Sequence, residues 1–279
     1  MGGGSYSYMS AHDRSVSYQS QSREEIFTNN RLDSEMDIKG KIREARDSEE
    51  HPESFPIIIS LDETGSMGIV PEWLVKHGFP EIMKKIMDEG IAHPQVCFVG
   101  FGDDYGDKAP FQVGQFESSD KLTEKWLTKI YLEGQGWGNG KEDSQLTYYF
   151  AAHHTSIDSF DKRGKKGCLI TISDDNYADI TSCHTLRKIF GDAESDVSTV
   201  QMVSEASQKW DLYHINLNDY LGSTTSIQNK WKELLGADKV VVTENGEGKD
   251  IPSIIAGIIL RSYNESGTSD ERLETNVID

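Results

Sequence analysis

The length, composition and charge of the chain limit what it can be. Its 279 residues are enough for one large α/β domain with a hydrophobic core, plus a tail or a small extra lobe. The 28 Lys and Arg residues against 47 Asp and Glu give a formal net charge of −19. This charge argues against nucleic-acid phosphate or an anionic membrane as a general partner.

The cysteines and the absence of long apolar runs indicate a compartment. Cys97 and Cys168 lie within apolar runs and Cys183 makes the count odd, which favours buried free thiols of a reducing compartment over a disulfide framework. The first eight residues lack the charged and apolar regions of a signal peptide, and no run approaches the roughly 18 apolar residues of a membrane span. The sequence therefore predicts a cytoplasmic protein.

The two ends of the chain differ in composition from its middle. Residues 1–35 are rich in Ser, Tyr, Gln, Asn and Arg with hardly any aliphatic side chain, so we expect a disordered polar tail. Residues 36–54 predict a helical lead-in, with a short helix over 36–49 that has Ile38 and Ile42 on one side. Residues 264–279 predict a polar, frayed C-terminal tail.

The stretch 55–263 alternates apolar runs with helical patterns and predicts a single domain. Buried or edge strands are predicted at 55–61, 95–101, 111–116, 167–173, 211–217 and 239–243. Helices are predicted from 71 to 90, at 120–130, from 146 to about 159, at 185–190, 197–209 and 226–235, and from 252 onward. The fold class is therefore α/β: a doubly wound, mostly parallel six-stranded sheet with one antiparallel edge strand and helices on both faces.

The first of these strands ends in the sequence Asp62-Glu63-Thr64-Gly65-Ser66-Met67-Gly68. Asp62, Thr64 and Ser66 stand at alternate positions of one tight turn, so a carboxylate and two hydroxyl groups can point at one centre. Such oxygen ligands suit a hard cation such as Mg²⁺. Asp174 ends a second buried strand and supplies a second carboxylate if that strand lies beside the first, because ligands bind at the switch point of a doubly wound sheet.

This stretch resembles the first motif of the metal-ion-dependent adhesion site (MIDAS) of von Willebrand factor A (vWA) domains, aspartate-x-serine/threonine-x-serine. The resemblance covers roughly residues 55–263 in strand order, and it is strongest to the intracellular bacterial and phage members of the family. It implies that Asp62 and Asp174 hold the metal mainly through water, with hydroxyl contacts from Thr64 and Ser66. Ser66 is the surer direct ligand by this resemblance.

The second loop of the family is similar to Gly138-Asn139-Gly140-Lys141-Glu142-Asp143. The resemblance places Asn139 at the metal-facing position, where the family has a threonine or an aspartate, and Thr147 is a competitor further along the chain. Glu142 has the simpler role of favouring the N-terminus of the following helix. Asp103, Asp104 and Asp107 lack the spacing of a calcium loop and predict a solvated turn.

The function that these motifs imply is metal-mediated protein binding without turnover. A cation held by two carboxylates and neutral oxygens keeps an exchangeable water, which an Asp or Glu of a partner protein can replace; Mg²⁺ is expected, with Mn²⁺ or Ca²⁺ as alternatives. The resemblance implies a MoxR-type AAA+ ATPase as one partner. The rival interpretations are a haloacid-dehalogenase-like Mg²⁺-dependent phosphatase, which would need an acid where Thr64 stands, and a metal-free structural adaptor. Capping or turn formation by Asp62, Ser66 and Asp174 is the simplest alternative to a metal site.

Overall fold

The structure is a computed structural model that describes residues 4–133, 141–217, 224–243 and 250–274. The side chains of Ser66 and of residues 267–274 lie outside that description. In the described residues, no helix is both long and apolar enough to cross a bilayer.

The described residues contain eleven α-helices. Their bounds are α1 Tyr8–Tyr18, α2 Arg23–Ile26, α3 Ile69–Trp73, α4 Phe79–Asp88, α5 Asp120–Thr128, α6 Leu146–His153, α7 Asp158–Arg163, α8 Cys183–Ile189, α9 Thr199–Ala206, α10 Thr225–Leu235 and α11 Ile251–Glu274. A 3₁₀ turn over Gly65–Gly68 precedes α3, and a π-helical turn over Leu74–Gly78 joins α3 to α4. The loop after the first long strand therefore continues directly into one long, interrupted helix.

The strands form one large sheet and two small ones. They are β1 Arg43–Ala45, β2 Phe55–Asp62, β3 Pro94–Phe101, β4 Phe111–Val113, β5 Thr155–Ile157, β6 Gly167–Ser173, β7 Ile180–Thr181, β8 Val197–Ser198, β9 Trp210–Asn216 and β10 Val240–Val242. The six-stranded sheet has the order β10-β9-β6-β2-β3-β4, in which only the pair β3–β4 is antiparallel. This confirms the predicted α/β fold class with one antiparallel edge strand.

The central strand β2 is buried on both faces of the sheet. Ile57 and Ile59 pack into one hydrophobic cluster and Ile58 packs into the other, because successive side chains of a strand point to opposite faces. The first cluster is covered by α4, α5 and α11, and the second by α6, α8, α9 and α10. The chain moves from β2 to β3 on one side and later to β6 on the other, so the strand order reverses beside β2. This reversal creates a crevice at the carboxyl ends of β2 and β6.

The N-terminal stretch is ordered, which corrects the predicted disordered tail over 1–35. Helix α1 lies in it, and Arg14 pairs with Asp120 at 2.9 Å and with Glu124 at 2.7 Å on α5. Tyr6 packs edge-on against Phe79, and Ala11 is buried. The segment is held by ion pairs and aromatic contacts instead of aliphatic burial, so a count of aliphatic residues did not detect it. Residues 1–3 lie outside the described part.

The lead-in also differs from the prediction of a helix over 36–49. Met36 and Ile38 are buried in different clusters, Ile42 is exposed, and Arg43–Ala45 is a strand paired in parallel with β5. The guanidinium of Arg43 is buried, and its Nη2 donates to the carbonyl oxygen of Val113 at 2.8 Å. The segment Arg43–Ala45 is extended because it pairs with β5, and this places the Arg43 side chain against β4. Ile38 and Ile42, two apolar residues four positions apart, were too weak a pattern to predict a helix reliably.

The C-terminal boundary is also later than predicted. Helix α11 continues through the position where the polar tail was expected, as far as Glu274. Glu265, which lies beyond the predicted boundary, pairs with Lys239 at 3.0 Å and with Arg261 at 2.7 Å. Residues 275–279 lie outside the described part of the chain.

Candidate metal centre

The candidate site is built around Asp62, the last residue of β2. Its side chain is fully buried, since every Ile and Leu before it on the strand is buried as well. Thr64 donates to Asp62 Oδ1 twice, through its backbone N–H at 3.0 Å and through its hydroxyl at 2.6 Å. The Ser173 hydroxyl at the end of β6 donates to Asp62 Oδ2 at 2.8 Å. Hydrogen bonds from the first loop and from the end of β6 therefore fix both carboxyl oxygens.

The first loop positions its hydroxyl groups by the way the helix begins. Thr64 has extended backbone and the chain then enters the 3₁₀ turn Gly65–Gly68. Because the Thr64 hydroxyl proton points at Asp62, the lone pairs of that oxygen remain available to a cation. The side chain of Ser66 lies outside the described residues, so the predicted role of Ser66 stays a prediction. Gly68 lies against the guanidinium of Arg23, and a Cβ atom there would lie 2.8 Å from Arg23 Nη1.

The third loop begins directly after Ser173. The parallel pairing of Leu61 with Ile172 brings the ends of β2 and β6 side by side, as the sequence-based argument for Asp174 required. Asp174 is half-buried, and its charge raises the pKa of Asp62. The structure therefore places Asp174 beside Asp62, in the crevice at the switch point. Asp175 is also half-buried, and its backbone N–H donates to Ser173 Oγ at 3.1 Å.

The second loop contributes a residue that sequence reasoning had assigned another role. Asn139 lies outside the described residues, whereas Glu142 is 6% exposed and its Oε2 has no hydrogen-bond partner. The Glu142 backbone N–H donates to the carbonyl oxygen of Asn176 at 3.0 Å, and Lys141 forms a parallel bridge with Asn176. The next N–H, of Asp143, donates to Gly102 at 2.9 Å. These bonds hold Glu142 between the turn that follows β3 and the third loop.

Thr147, the other candidate in this part of the chain, has a structural contact. It is fully buried in α6, and its hydroxyl lies 2.7 Å from that of Ser60 on β2. Ser60 is two residues before Asp62, so Thr147 packs beneath the carboxyl group of Asp62 in the helix–sheet interface. Its hydroxyl bond to Ser60 supports the strand that carries Asp62.

Several carboxyl groups lie close together in the site, and their pKa values are raised. Burial raises the pKa of Asp62 to about 7, although the Thr64 hydrogen bonds oppose this shift. Burial also raises the pKa of Glu142 to about 10, and the charge of Asp62 is the next largest cause. The pKa of Asp175 is raised by burial too. Each ionised carboxylate disfavours the next one, so a proton or a cation must neutralise the group.

The donor set fits a hard cation. In the described ranges, no three His, Cys, Asp or Glu side chains come together in an arrangement that could hold a metal ion. A cation beside Asp62 would therefore use hydroxyl groups and water together with one or two carboxylates, which is how Mg²⁺ is commonly bound. The Thr64 lone pairs and the unpartnered Glu142 Oε2 are oxygens of the required kind.

The rim of the site is a turn that is more ordered than a solvated loop. Asp103 is buried, and its carboxylate accepts the N–H of Tyr105 at 2.9 Å. Asp104 forms an ion pair with Lys188 on α8, and its N–H donates to Asp143 at 2.9 Å. The predicted solvated turn is therefore packed against both α8 and the second loop.

Comparisons with known proteins show a similarity of fold. No family model and no curated protein matches this sequence. Among solved structures, the pilus adhesin SpaC from Lactobacillus rhamnosus GG in its open conformation matches with a TM-score of 0.51 at 13% identity, over 80% of this chain and 31% of SpaC. The chain thus spans about a third of the length of SpaC, and the likeness extends to the fold alone.

Two further structures resemble the chain more weakly. Proximal thread matrix protein 1 (PTMP1) from the mussel byssus, described with a zinc-occupied MIDAS motif, has a TM-score of 0.47 at 12% identity, over 81% of this chain and 47% of PTMP1. The adhesive tip pilin GBS104 from Group B Streptococcus agalactiae has a TM-score of 0.40 at 8% identity, over 72% of this chain and 98% of the pilin. Because both scores are below 0.5, no conclusion about this chain rests on them.

Proposed function

We propose that this chain is a non-catalytic protein-binding module of the vWA type, which holds a divalent cation at the end of β2 and binds an acidic side chain of a partner through it. The observation that carries the proposal is the environment of Asp62. This carboxyl group is fully buried at the switch point of the sheet, held by two hydroxyl groups and faced by other carboxyl groups. A divalent cation neutralises such a group without removing the carboxylates.

The proposed ion is Mg²⁺, with Mn²⁺ or Ca²⁺ as alternatives. Asp62, Thr64, Ser66 and Asp174 are the proposed ligands, directly or through water, and Glu142 joins Asn139 as a candidate from the second loop. When bound, the cation offers a coordination position that a carboxylate of the partner fills. The residues of the chain orient its oxygens: Thr64 and Ser173 hold the Asp62 carboxylate, and Asn176 fixes the backbone of Glu142.

The proposed partner is a protein that presents Asp or Glu. From the motif resemblance alone we propose a MoxR-type AAA+ ATPase as such a partner, and membership of the intracellular bacterial or phage group. The net charge of −19 supports neither nucleic acid nor an anionic membrane as partner. A cytoplasmic location is proposed because Cys97 and Cys168 are buried free thiols.

We propose that the site performs no turnover. In a phosphatase of the haloacid-dehalogenase type, the aspartate after the first strand would attack phosphorus with a free carboxylate oxygen, and an acid would stand two residues later. Here Thr64 occupies that later position and donates two hydrogen bonds to Asp62 Oδ1, while Ser173 donates to Oδ2. Rapid Mg²⁺-dependent hydrolysis of a phosphate ester, lost in Asp62→Asn, would overturn this part of the proposal.

The test of the binding function has two stages. Isothermal titration of the full chain with Mg²⁺ should show binding that is lost in Ser66→Ala and retained in the control Ser204→Ala, which changes an exposed serine of α9. Pull-downs from the native cell, with Mg²⁺ and with chelator, should then recover a partner only with Mg²⁺ and only with a chain that retains Ser66. Identical partners in all arms would contradict a metal bridge, and wild type without Mg²⁺ binding would favour a structural adaptor.

A further inference from the structure

A second buried carboxyl group lies next to the proposed metal centre and faces away from it. Glu63 follows Asp62, and its side chain lies across β3 toward the edge strand β4. It is fully buried: Gln112 Nε2 donates to Glu63 Oε2, and Glu63 Oε1 has no hydrogen-bond partner. An unpartnered buried carboxyl oxygen is costly, so the space in front of it needs an explanation.

Two glycines of the β3 segment make room for this carboxyl group. A Cβ atom on Gly100 would lie 2.6 Å from Glu63 Oε2. A Cβ on Gly102 would lie 3.4 Å from Glu63 Oε1 and would collide with Asp107 Oδ2. The unpartnered oxygen of Glu63 and a carboxyl oxygen of Asp107 therefore face the same small space over Gly102, from two different loops.

Backbone N–H groups bind the two neighbouring carboxyl groups. Asp107 Oδ2 accepts the backbone N–H of Asp103 at 2.6 Å. Glu133 Oε1 accepts the backbone N–H of Lys108 at 2.5 Å and that of Ala109 at 3.0 Å. Glu133 and Asp107 both lie close enough to Glu63 to interact with it electrostatically.

We infer that the space over Gly102 is a second cation-binding site, distinct from the one at Asp62, which takes Ca²⁺ between Glu63 Oε1 and Asp107 Oδ2. Ca²⁺ accepts carboxylates, backbone carbonyls and water in flexible geometry, so two carboxylates from different loops suffice to start its coordination shell. Glu133 adds negative charge beside this pair. The inference goes beyond the proposed function, because it needs neither Ser66 nor a partner protein.

The site would connect two loops at the rim of the sheet. Glu63 belongs to the loop that follows β2, and Asp107 closes the turn that follows β3. Within the turn, the N–H groups of Gly106 and Asp107 donate to the carbonyl oxygen of Asp103, and Asp104 anchors the turn to α8 and to the second loop. A cation between Glu63 and Asp107 would therefore fix the turn relative to the first loop.

The test is the number of Ca²⁺ ions bound by the full chain, measured by isothermal titration and by native mass spectrometry. Wild type should bind two ions. Glu63→Gln and Asp107→Asn should each lose one of them, with at least a tenfold fall in affinity, and Asp174→Asn should lose the other. Asp88→Asn, which changes an exposed carboxylate of α4, is the matched control and should retain both. Thermal melting confirms that each variant is folded.

The outcomes separate this site from the one at Asp62. Retention of both ions by folded Glu63→Gln would overturn the inference; if that variant does not fold, Asp107→Asn gives the same test. A single wild-type ion that is lost in Asp174→Asn would overturn it as well. A single ion lost in Glu63→Gln and retained in Asp174→Asn would support the inference and contradict the proposed function.

Discussion

Without metal, the Asp62→Asn variant should be more stable than wild type. With metal bound, it should be less stable than wild type. The substitution keeps the size of the side chain and removes a carboxylate that is fully buried beside Asp174. In chelator the wild-type protein must bury this charge uncompensated, whereas in Mg²⁺ the cation compensates it. The order of stability of the two proteins should therefore reverse between the two conditions.

The structure gives the size of the effect without metal. Burial raises the Asp62 pKa from 3.8 to about 7, so the folded state holds its proton more tightly than the unfolded state does. Stability is consequently lost as the pH rises from about 4 to about 7, and the total loss is roughly 4 kcal/mol at about 1.4 kcal/mol per pKa unit. Asn cannot accept all the hydrogen bonds from Thr64 and Ser173, which costs about 2 kcal/mol. The expected net gain in chelator at pH 8 is about 2 kcal/mol.

Urea unfolding of both proteins measures this prediction directly. In chelator, Asp62→Asn should be more stable than wild type at pH 8; the two proteins should be equally stable at about pH 5, and the variant should be less stable by about 2 kcal/mol at pH 4. With Mg²⁺ at about 100 times its dissociation constant, wild type should gain about 2.7 kcal/mol and the variant far less. A variant that is less stable than wild type in chelator at pH 8 would refute the argument from buried charge, and equal gains in Mg²⁺ would refute the site.

Three further predictions concern other ionisable residues. Glu142→Gln should raise stability in chelator and reduce the gain from Mg²⁺, as urea unfolding would show; an unchanged gain would remove Glu142 from the site. Burial lowers the pKa of His214 to about 3, so the stability contributed by the neutral imidazole is complete above about pH 6.5 and falls as the pH drops toward 3. Between pH 7 and pH 5, wild type should therefore lose about 2 kcal/mol more stability in urea unfolding than His214→Gln does. Parallel pH profiles of the two proteins would contradict this. Arg14→Ala should cost about 2 kcal/mol because it removes the ion pairs of the buried Asp120 and the half-buried Glu124, whereas Lys84→Ala, at an exposed ion pair, should have little effect on stability. Similar losses in thermal or urea unfolding would contradict a role of Arg14 in holding α1.

The sheet could be predicted from the sequence because its signals are local. Three consecutive isoleucines at 57–59 followed by polar residues indicate a strand buried on both faces, and Gly167–Ser173 repeats the pattern. Alternation with helical stretches then indicates parallel crossovers. The sequence left open whether the strand of Asp174 lies beside that of Asp62, and the structure shows that the two strands pair. Those two residues come together because the sheet brings the ends of neighbouring strands together, whatever their spacing in sequence.

The N-terminal helix could not be predicted in the same way, because its stability depends on distant residues. Arg14 binds carboxylates more than a hundred positions away, and the Tyr18 hydroxyl donates to one of them, Glu124, at 2.9 Å. A polar stretch of this kind is indistinguishable from a disordered tail until its partners are known. The same limit applies to the segment of Arg43. A helix was predicted there, whereas the structure has a strand in which the Arg43 side chain is buried.

Glu142 shows why the second loop was the hardest part of the site to predict. In sequence it precedes a helix, where an acid is common, and motif alignment favours Asn139 three positions earlier. What gives Glu142 its place is the bridge of Lys141 to Asn176 and the bond from Asp143 to Gly102, which join three loops through backbone atoms. Such backbone hydrogen bonds do not depend on which side chains the residues carry, so they cannot be predicted from the sequence. The carboxyl group of Glu142, which such bonds leave buried near Asp62 with Oε2 unpartnered, is therefore the main structural support for the proposal that the second loop contributes to the cation site.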